Sequence, residues 1–374
     1  MGNILYLCRL DLQKSENSGV AHKITAQCKA LERLGHRVDL LSYGDAGMML
    51  NGELVRRFSS GNMRYNYYLR FYQESPLAVD PKQYDLIYVR YHRGSFMLPG
   101  ALKDFKQRNP RLAVAVEMPS YPFDAELTSW TAKTINVLDN LAIPRLPRYV
   151  QLIATFSAHP TIFGVPTQSI SNGVDLDRVS PAKPSTPNPD ELRLLAVANL
   201  SRAHAYDRLL QGLAQYRQNK GPVRVVFHLA GGGAEFERLT QMAQALELGD
   251  SVVFHGHCSG KALDERYDAA DMAVGTLGAH RVNLTEASPL KAREYCAKGL
   301  PFVLGYRDTG LPENYPYAFS VPADESPVDV AALVDFYRHL IQQRPHFRQE
   351  IRIFAEQNFS WDAQMRLILQ RLGL

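Results

Sequence analysis

The sequence predicts an α/β fold made of two doubly wound domains. Three observations carry this reading. Short aliphatic runs alternate with amphipathic helical stretches, the same alternation restarts after a proline-rich break, and the chain of 374 residues has the length of two domains. Strands buried on both faces read as continuous apolar runs, whereas helices repeat their apolar residues at three- and four-residue spacing.

The first run, Asn3-Ile4-Leu5-Tyr6-Leu7-Cys8, predicts a short buried strand. A polar loop over 11–19 leads into a helix with Val20, Ile24, Cys28, Leu31 and Leu34 on one face, closed by Gly35. A strand at 37–42 completes a βαβ unit, and the pattern recurs with a strand at 84–89, a helix at 98–108 and a strand at 112–117. Segment 56–72 interleaves Arg56, Arg57, Arg64 and Arg70 with Phe58, Tyr65, Tyr67, Tyr68, Phe71 and Tyr72. It reads as a core-facing helix whose arginines reach solvent, or as an acceptor-binding or membrane-interface surface. Pro181, Pro184, Pro187 and Pro189 punctuate a linker over 181–189. A domain over 1–182 thus precedes one over 190–358, with strands expected at 192–198, 223–230, 251–254, 272–276 and 301–304. The alternation implies parallel sheets, and such sheets bind ligands at the carboxyl ends of their strands.

Composition narrows the function. The hydrophobic content of 45% and charged content of 21% are those of an ordinary soluble chain. A net charge of +4 without dense Lys/Arg blocks excludes a nucleic-acid binder and suits an anionic substrate or an anionic membrane surface. Four scattered cysteines with no CxxC indicate neither zinc nor a disulfide framework and point to a reducing, cytoplasmic setting. No apolar run approaches the length of a membrane span. The only Asp-x-Asp, Asp175-Leu176-Asp177, has no neighbouring ligands, so no metal is expected. The turn after the first strand lacks Gly-x-Gly-x-x-Gly, and no acidic ribose partner follows Gly231-Gly232-Gly233, so no dinucleotide cofactor is expected.

The chemistry concentrates in Thr285-Glu286-Ala287-Ser288-Pro289-Leu290-Lys291-Ala292-Arg293-Glu294. Ser288 suits an N-cap and Pro289 a first helical position, which leaves the amides of Leu290 and Lys291 without intrahelical partners and makes an anion site. Lys291 in the first turn opposes the helix dipole by roughly 0.3–1 kcal/mol unless an anion is present. Glu286 stands outside the cap and Glu294 almost two turns in, so the two can reach opposite ends of one extended ligand whose phosphates lie between them. A nucleotide-sugar has that shape. Alone, the pair would read as a loop residue and an exposed helical one; their neighbours favour a ligand.

This segment, with Cys296-Ala297-Lys298-Gly299-Leu300-Pro301 after it, resembles the Glu-x7-Glu helix of the retaining glycosyltransferases of GT-B architecture, the family four group. Three further segments are similar to that family in the same order: Ser171-Asn172-Gly173-Val174-Asp175, Asp268-Ala269-Ala270-Asp271 and Phe359-Ser360-Trp361-Asp362. The resemblance implies two Rossmann-like domains facing across a cleft, with 359–374 crossing back to the first. It implies a metal-independent hexosyl transfer, with retained configuration, from a nucleoside diphosphate-sugar to a glycan or lipid-linked acceptor in cell-surface polysaccharide or glycoconjugate synthesis. UDP is the favoured nucleotide, and the inner face of the membrane a possible location. By the same resemblance, Glu294 holds the ribose, Glu286 contacts the sugar, the Ser288-Pro289-Leu290-Lys291 turn cradles the diphosphate, Gly19 lets the first domain approach it and Gly256 touches the base.

The chain departs from the family at Asn199 and His204, which stand where an Arg and a Lys commonly meet the diphosphate. Arg202, His204 and Lys291 are expected to supply the missing positive charge, with His204 donating when protonated near pH 6.5. Pro119 occupies the first domain's usual His position, which leaves Tyr121, Asp124 and Glu126 as acceptor-side candidates. Two alternatives remain at this stage: a catalytically silent GT-B nucleotide-sugar-binding or partner subunit, and a GT-B epimerase or hydrolase.

Overall fold

A computed structural model describes residues 1–119, 121, 130–157, 159–183 and 188–374, the side chains of 130–134 and 136 excepted. The chain forms two compact units, Met1–Ser171 with Trp361–Leu374, and Asn172–Ser360.

The first unit opens with β1 (Asn3–Cys8), α1 (Ser18–Arg33) and β2 (Arg37–Gly44), followed by β3 (Gly47–Leu50) and β4 (Glu53–Arg57). A helical stretch of α2 (Met63–Tyr65), a π-turn over Asn66–Arg70 and α3 (Phe71–Ala78) leads to β5 (Leu86–Arg90), α4 (Leu98–Arg108) and β6 (Ala113–Met118). Then come α5 (Trp130–Ala142), β7 (Leu152–Thr155), β8 (Thr161–Ile162) and β9 (Val165–Ser169). The strands form one sheet in the order β4-β3-β2-β1-β5-β6-β7-β9-β8. Its middle is parallel, and β1, β5 and β6 bury nearly every residue, which is why their apolar runs are unbroken.

Its margins differ from the expected parallel sheet: β2–β3, β3–β4 and β8–β9 are antiparallel. The β3–β4 hairpin turns on Asn51-Gly52, both with positive φ (53° and 90°), the two-residue loop whose twist matches paired strands. Arg56 and Arg57 therefore end a strand rather than begin a helix. The helical stretch starts at Met63, where the Asn62 side chain accepts a hydrogen bond from the Tyr65 amide at 3.1 Å.

The second unit runs β10 (Glu191–Val197), α6 (Tyr206–Gln218), β11 (Arg224–Ala230), α7 (Phe236–Ala245), β12 (Val252–Gly256), α8 (Gly260–Ala269) and β13 (Met272–Val274). It continues with β14 (Glu286–Ala287), α9 (Leu290–Lys298), β15 (Phe302–Leu304), β16 (Arg307–Asp308), β17 (Ala318–Ser320), α10 (Val330–Gln343) and α11 (Phe347–Asn358). Its main sheet, β12-β11-β10-β13-β15-β17, is parallel throughout, and the strand order reverses between β10 and β13. Ligands of doubly wound sheets bind at that reversal. Gly231 (φ +133°) lets the turn after β11 press on the exit of β10, since a Cβ there would lie 1.8 Å from the Ala198 carbonyl oxygen.

The division falls at Ser171, ahead of the expected linker, because residues 172–183 are tied into the second unit. The Val174 amide donates to the Phe359 carbonyl at 2.7 Å, and the Ala182 amide to the Lys298 carbonyl at 3.0 Å. Pro184 and Pro187 lie outside the described residues. The chain then returns to the first unit as α12 (Trp361–Leu372), whose Trp361, Met365, Ile368 and Leu369 share a core with Ile24 and Leu31 of α1. Arg33 Nε donates to Asp362 Oδ2 at 2.9 Å on the edge of that contact.

Candidate functional site

The strand-order reversal of the second sheet is where the sequence-predicted residues gather. After β10 the chain makes a tight turn over Arg202–His204, capped by Ser201. The exit of β13 fastens this turn from the other side: the Leu277 amide donates to the His204 carbonyl and the Gly278 amide to the Ala203 carbonyl, both at 3.1 Å.

The Ser201 amide donates to His204 Nδ1 at 3.1 Å, and the Ser201 hydroxyl lies 3.0 Å from the same nitrogen. A nitrogen that accepts from an amide carries no proton, so the neutral ring holds its hydrogen on Nε2. Nε2 faces Lys291 Nζ at 3.3 Å. Burial, and then the Lys291 charge, push the His204 ring down to about 4. The expectation that His204 becomes cationic near neutral pH is therefore corrected: it is a neutral N–H donor there. Burial likewise lowers Lys291 to about 8, opposed by the Glu294 charge. At pH 7 an ammonium and an imidazole N–H point toward each other. Two donors at 3.3 Å are matched only by an acceptor that both can reach, and an anionic oxygen fits best.

Lys291 sits in the first turn of α9. The helix begins at Leu290 with Pro289 as N-cap (ψ 149°), one residue later than expected, and no side chain caps it. Ser288 is diverted from capping because its hydroxyl accepts from Arg293 Nη2 at 2.9 Å. The first-turn amides are left without intrahelical partners beside the Lys291–His204 pair.

Arg293 is fully buried, pairs with Asp308 and lies 4.5 Å from the Phe359 ring centre. Asp308 also accepts from the Gly310 amide at 3.0 Å, so one ion pair fixes the α9 start to β16. Sequence reasoning passed over both residues. The available signal was an arginine on the buried face formed by positions 293, 296, 297 and 300 of α9 and its exit, where a charge demands a partner.

Glu294, half-buried, lies in the second turn of the same helix. Burial raises its carboxyl, and the Tyr267 hydroxyl and the charges of Lys298 and Lys291 pull it partly back. The structure thus brings His204, Lys291 and Glu294 together. Glu286 is exposed on the β14–β16 ladder, its Oε1 accepting from Arg307 Nη1 at 2.7 Å. Asn199 and Arg202 are exposed at the β10 exit, and Gly256 (φ +67°) ends β12, its carbonyl accepting from the Gly231 amide at 2.6 Å. Gly19 belongs to the first unit, in the first turn of α1, with open space where a Cβ would stand. Tyr121, also in the first unit, stands edge-on to His159 and Phe163, and Asp124 and Glu126 lie outside the described residues.

Residues 180–315 match the family described as Glycosyl transferases group 1. No curated protein matches the chain. Among solved structures the chain is similar to a glycosyltransferase from Rickettsia africae, at 12% identity and a TM-score of 0.62 over 98% of this chain and 97% of that one. It is also similar to HepE of Anabaena in complex with UDP-glucose, at 15% identity and a TM-score of 0.56 over 100% of both chains. A third similar structure is the catalytic domain of starch synthase IV from Arabidopsis thaliana bound to ADP and acarbose, at 12% identity and a TM-score of 0.58 over 100% of both. The segment matched by the family holds His204, Lys291 and Glu294. The chain has the GT-B fold of two Rossmann-like domains, and the stretch of its second unit over 180–315 is similar to the glycosyl transferases group 1 family.

Proposed function

We propose that this protein transfers a hexosyl group from a nucleoside diphosphate-sugar to a glycan or lipid-linked acceptor with retained anomeric configuration and without a metal ion. The observation that carries the reading is the facing pair of donors, Lys291 Nζ and His204 Nε2, 3.3 Å apart beside an uncapped helix start. A diphosphate oxygen between them would accept both hydrogens, and the first-turn amides of α9 would take the remaining negative charge. As the bond to the sugar breaks, charge grows on that diphosphate, and donors already aimed at it lower the barrier without reorganising. The departing oxygen then takes the acceptor's proton. Glu294 would accept from the ribose hydroxyls, which favours its ionised form, and Glu286 would orient the sugar. Gly256 would let backbone approach the base, with Asn199 and Arg202 at the exit of β10. UDP is the favoured nucleotide, in line with the UDP-glucose held by HepE of Anabaena.

Synthesis of cell-surface polysaccharide or glycoconjugate is the setting proposed, with peripheral membrane contact through the β4 edge. Val55 of β4 and Met63 of α2 are exposed, each with an arginine close by in the sequence (Arg57 and Arg64), a composition that suits an anionic interface. Among the described residues no helix is long and apolar enough to cross a membrane.

A thermal-shift titration with UDP, GDP and ADP in the presence of EDTA tests the reading, since a ligand of the native state raises Tm. UDP should raise it most, and Lys291→Ala should shrink the shift. No shift with any of the three would sink the proposal.

A further inference from the structure

The buried ion pair of Arg293 and Asp308 lies behind the start of α9. Stability alone does not call for it, since apolar side chains of similar volume hold a core as well as a buried pair, or better. The guanidinium also leaves its buried Nε with no partner among the described residues, a cost that an aliphatic chain would avoid.

What the guanidinium reaches is the residue that the sequence offers as a cap. Nη2 donates to the Ser288 hydroxyl at 2.9 Å while Nη1 pairs with Asp308. Gly310 leaves room for this fork, since a Cβ there would lie 2.1 Å from Nη2. The ladder of β14 and β16 sets Ala287 opposite Asp308, and the Thr309 amide donates to the Ala287 carbonyl at 3.1 Å. Ser288 and the carboxylate that anchors Arg293 are thus held in one frame. No acidic residue stands in the first turn of α9, so this helix start has neither a side-chain cap nor a negative charge of its own.

We propose that Arg293 and Asp308 are positioning residues that keep the α9 start open to a diphosphate by holding Ser288 away from it, an inference that rests on the glycosyltransferase reading. Released from Arg293, Ser288 and Pro289 become the N-cap and first helical residue that their types favour, and the hydroxyl accepts from the Leu290 or Lys291 amide. Those are the amides offered to the diphosphate. Cap and phosphate then compete for the same hydrogens, and a ligand must displace the hydroxyl before it binds. The buried pair removes that competitor.

Calorimetry with UDP and hydrogen exchange at the Leu290 and Lys291 amides provide the test in Arg293→Met/Asp308→Asn. These substitutions remove both charges at once and keep an acceptor for the Gly310 amide. The two amides should exchange fast in wild type and slowly in the variant, and UDP affinity should fall about fivefold, the scale of displacing one cap. Adding Ser288→Ala should restore both fast exchange and affinity, a rescue that a general loosening of the fold would not give. Arg293→Lys keeps a charge against Asp308 without the fork, and carries the same comparison if the double variant does not fold. Unchanged exchange, unchanged affinity where wild type binds UDP, or a loss that Ser288→Ala leaves in place overturns the inference. Slowed exchange reversed by Ser288→Ala, with no UDP binding to wild type, removes the donor reading alone.

Discussion

Two polar clusters, one buried in the first unit and one half-buried in the second, are assembled on opposite principles. In the first unit the Glu117 carboxylate, fully buried at the end of β6, accepts from Gln27 at 2.7 Å and Tyr88 at 2.8 Å, pairs with Arg90 and lies 3.3 Å from Lys23 Nζ. Burial alone would raise this carboxyl, but Lys23, Arg90, Tyr88 and Gln27 together hold it down at about 2. At the α9 start of the second unit, Lys291 and His204 instead present hydrogen to hydrogen, and burial weakens the charge that remains. A carboxylate met by four partners holds a scaffold together; a pair of donors short of an acceptor is arranged for something that arrives later.

The contrast breaks if the two clusters respond alike to mutation. Glu117→Ala should have the largest effect, a loss of about 3–5 kcal/mol of folding stability, because it strands Arg90 and Lys23 in the core. Denaturant titration reads this directly. Since the folded carboxyl lies below its ordinary 4.5, wild-type stability from this group is complete above pH 4.5 and is lost as pH falls toward about 2. The acid limb of the variant's stability profile should be correspondingly flatter.

Lys291→Ala should do the reverse, lowering turnover by about 10²–10³ while leaving Tm equal or higher, since it removes a desolvated ammonium rather than a pair. Its pH signature sharpens the point. The free enzyme's lysine is depressed to about 8, so above that pH nucleotide binding must first restore a proton. UDP affinity measured by calorimetry should hold from neutrality to about pH 8, fall above it in wild type, and lose that fall in Lys291→Ala. His204→Ala should lower turnover less and leave the profile intact, because its ring is already neutral. An unaltered profile in Lys291→Ala would place the diphosphate elsewhere.

The smallest expected effect separates the two carboxylates of the second unit. Glu294→Ala should weaken UDP binding by about 1–3 kcal/mol, the scale of hydrogen bonds to a charged group. Glu286→Ala, at an exposed position, should reduce turnover more than nucleotide affinity. The opposite pattern in paired titrations would mean that the donor lies the other way round.

Much of the fold was legible because buried parallel strands write themselves as aliphatic runs: β1, β10 and β11 lie within a residue or so of their expected bounds. The β3–β4 hairpin went unread although Asn51-Gly52 marks it, because β3 is only four residues long and β4 is exposed and carries no apolar run. At the candidate site, residue type and helix-start chemistry pointed to Lys291 and Glu294. The state of His204 was not legible, because it depends on Lys291, 87 positions away, and on an amide that fixes its tautomer. Arg9 and Arg293 stayed hidden for a related reason: an arginine in sequence announces solvent, and only the folded chain shows carbonyls, a carboxylate and aromatic rings closing around it.

The position of α12 has a consequence for how the molecule is made. Trp361, Met365, Ile368 and Leu369 belong to the core that also holds Ile24 and Leu31, and Trp361 closes over Lys23 at 5.1 Å. These residues leave the ribosome only after the whole of Asn172–Ser360 has been synthesised. At ordinary rates of roughly 5–20 residues per second, the earlier unit waits some tens of seconds with one face of α1 uncovered. Although translated first, it is the last to be finished, and the second unit can mature ahead of the one that precedes it.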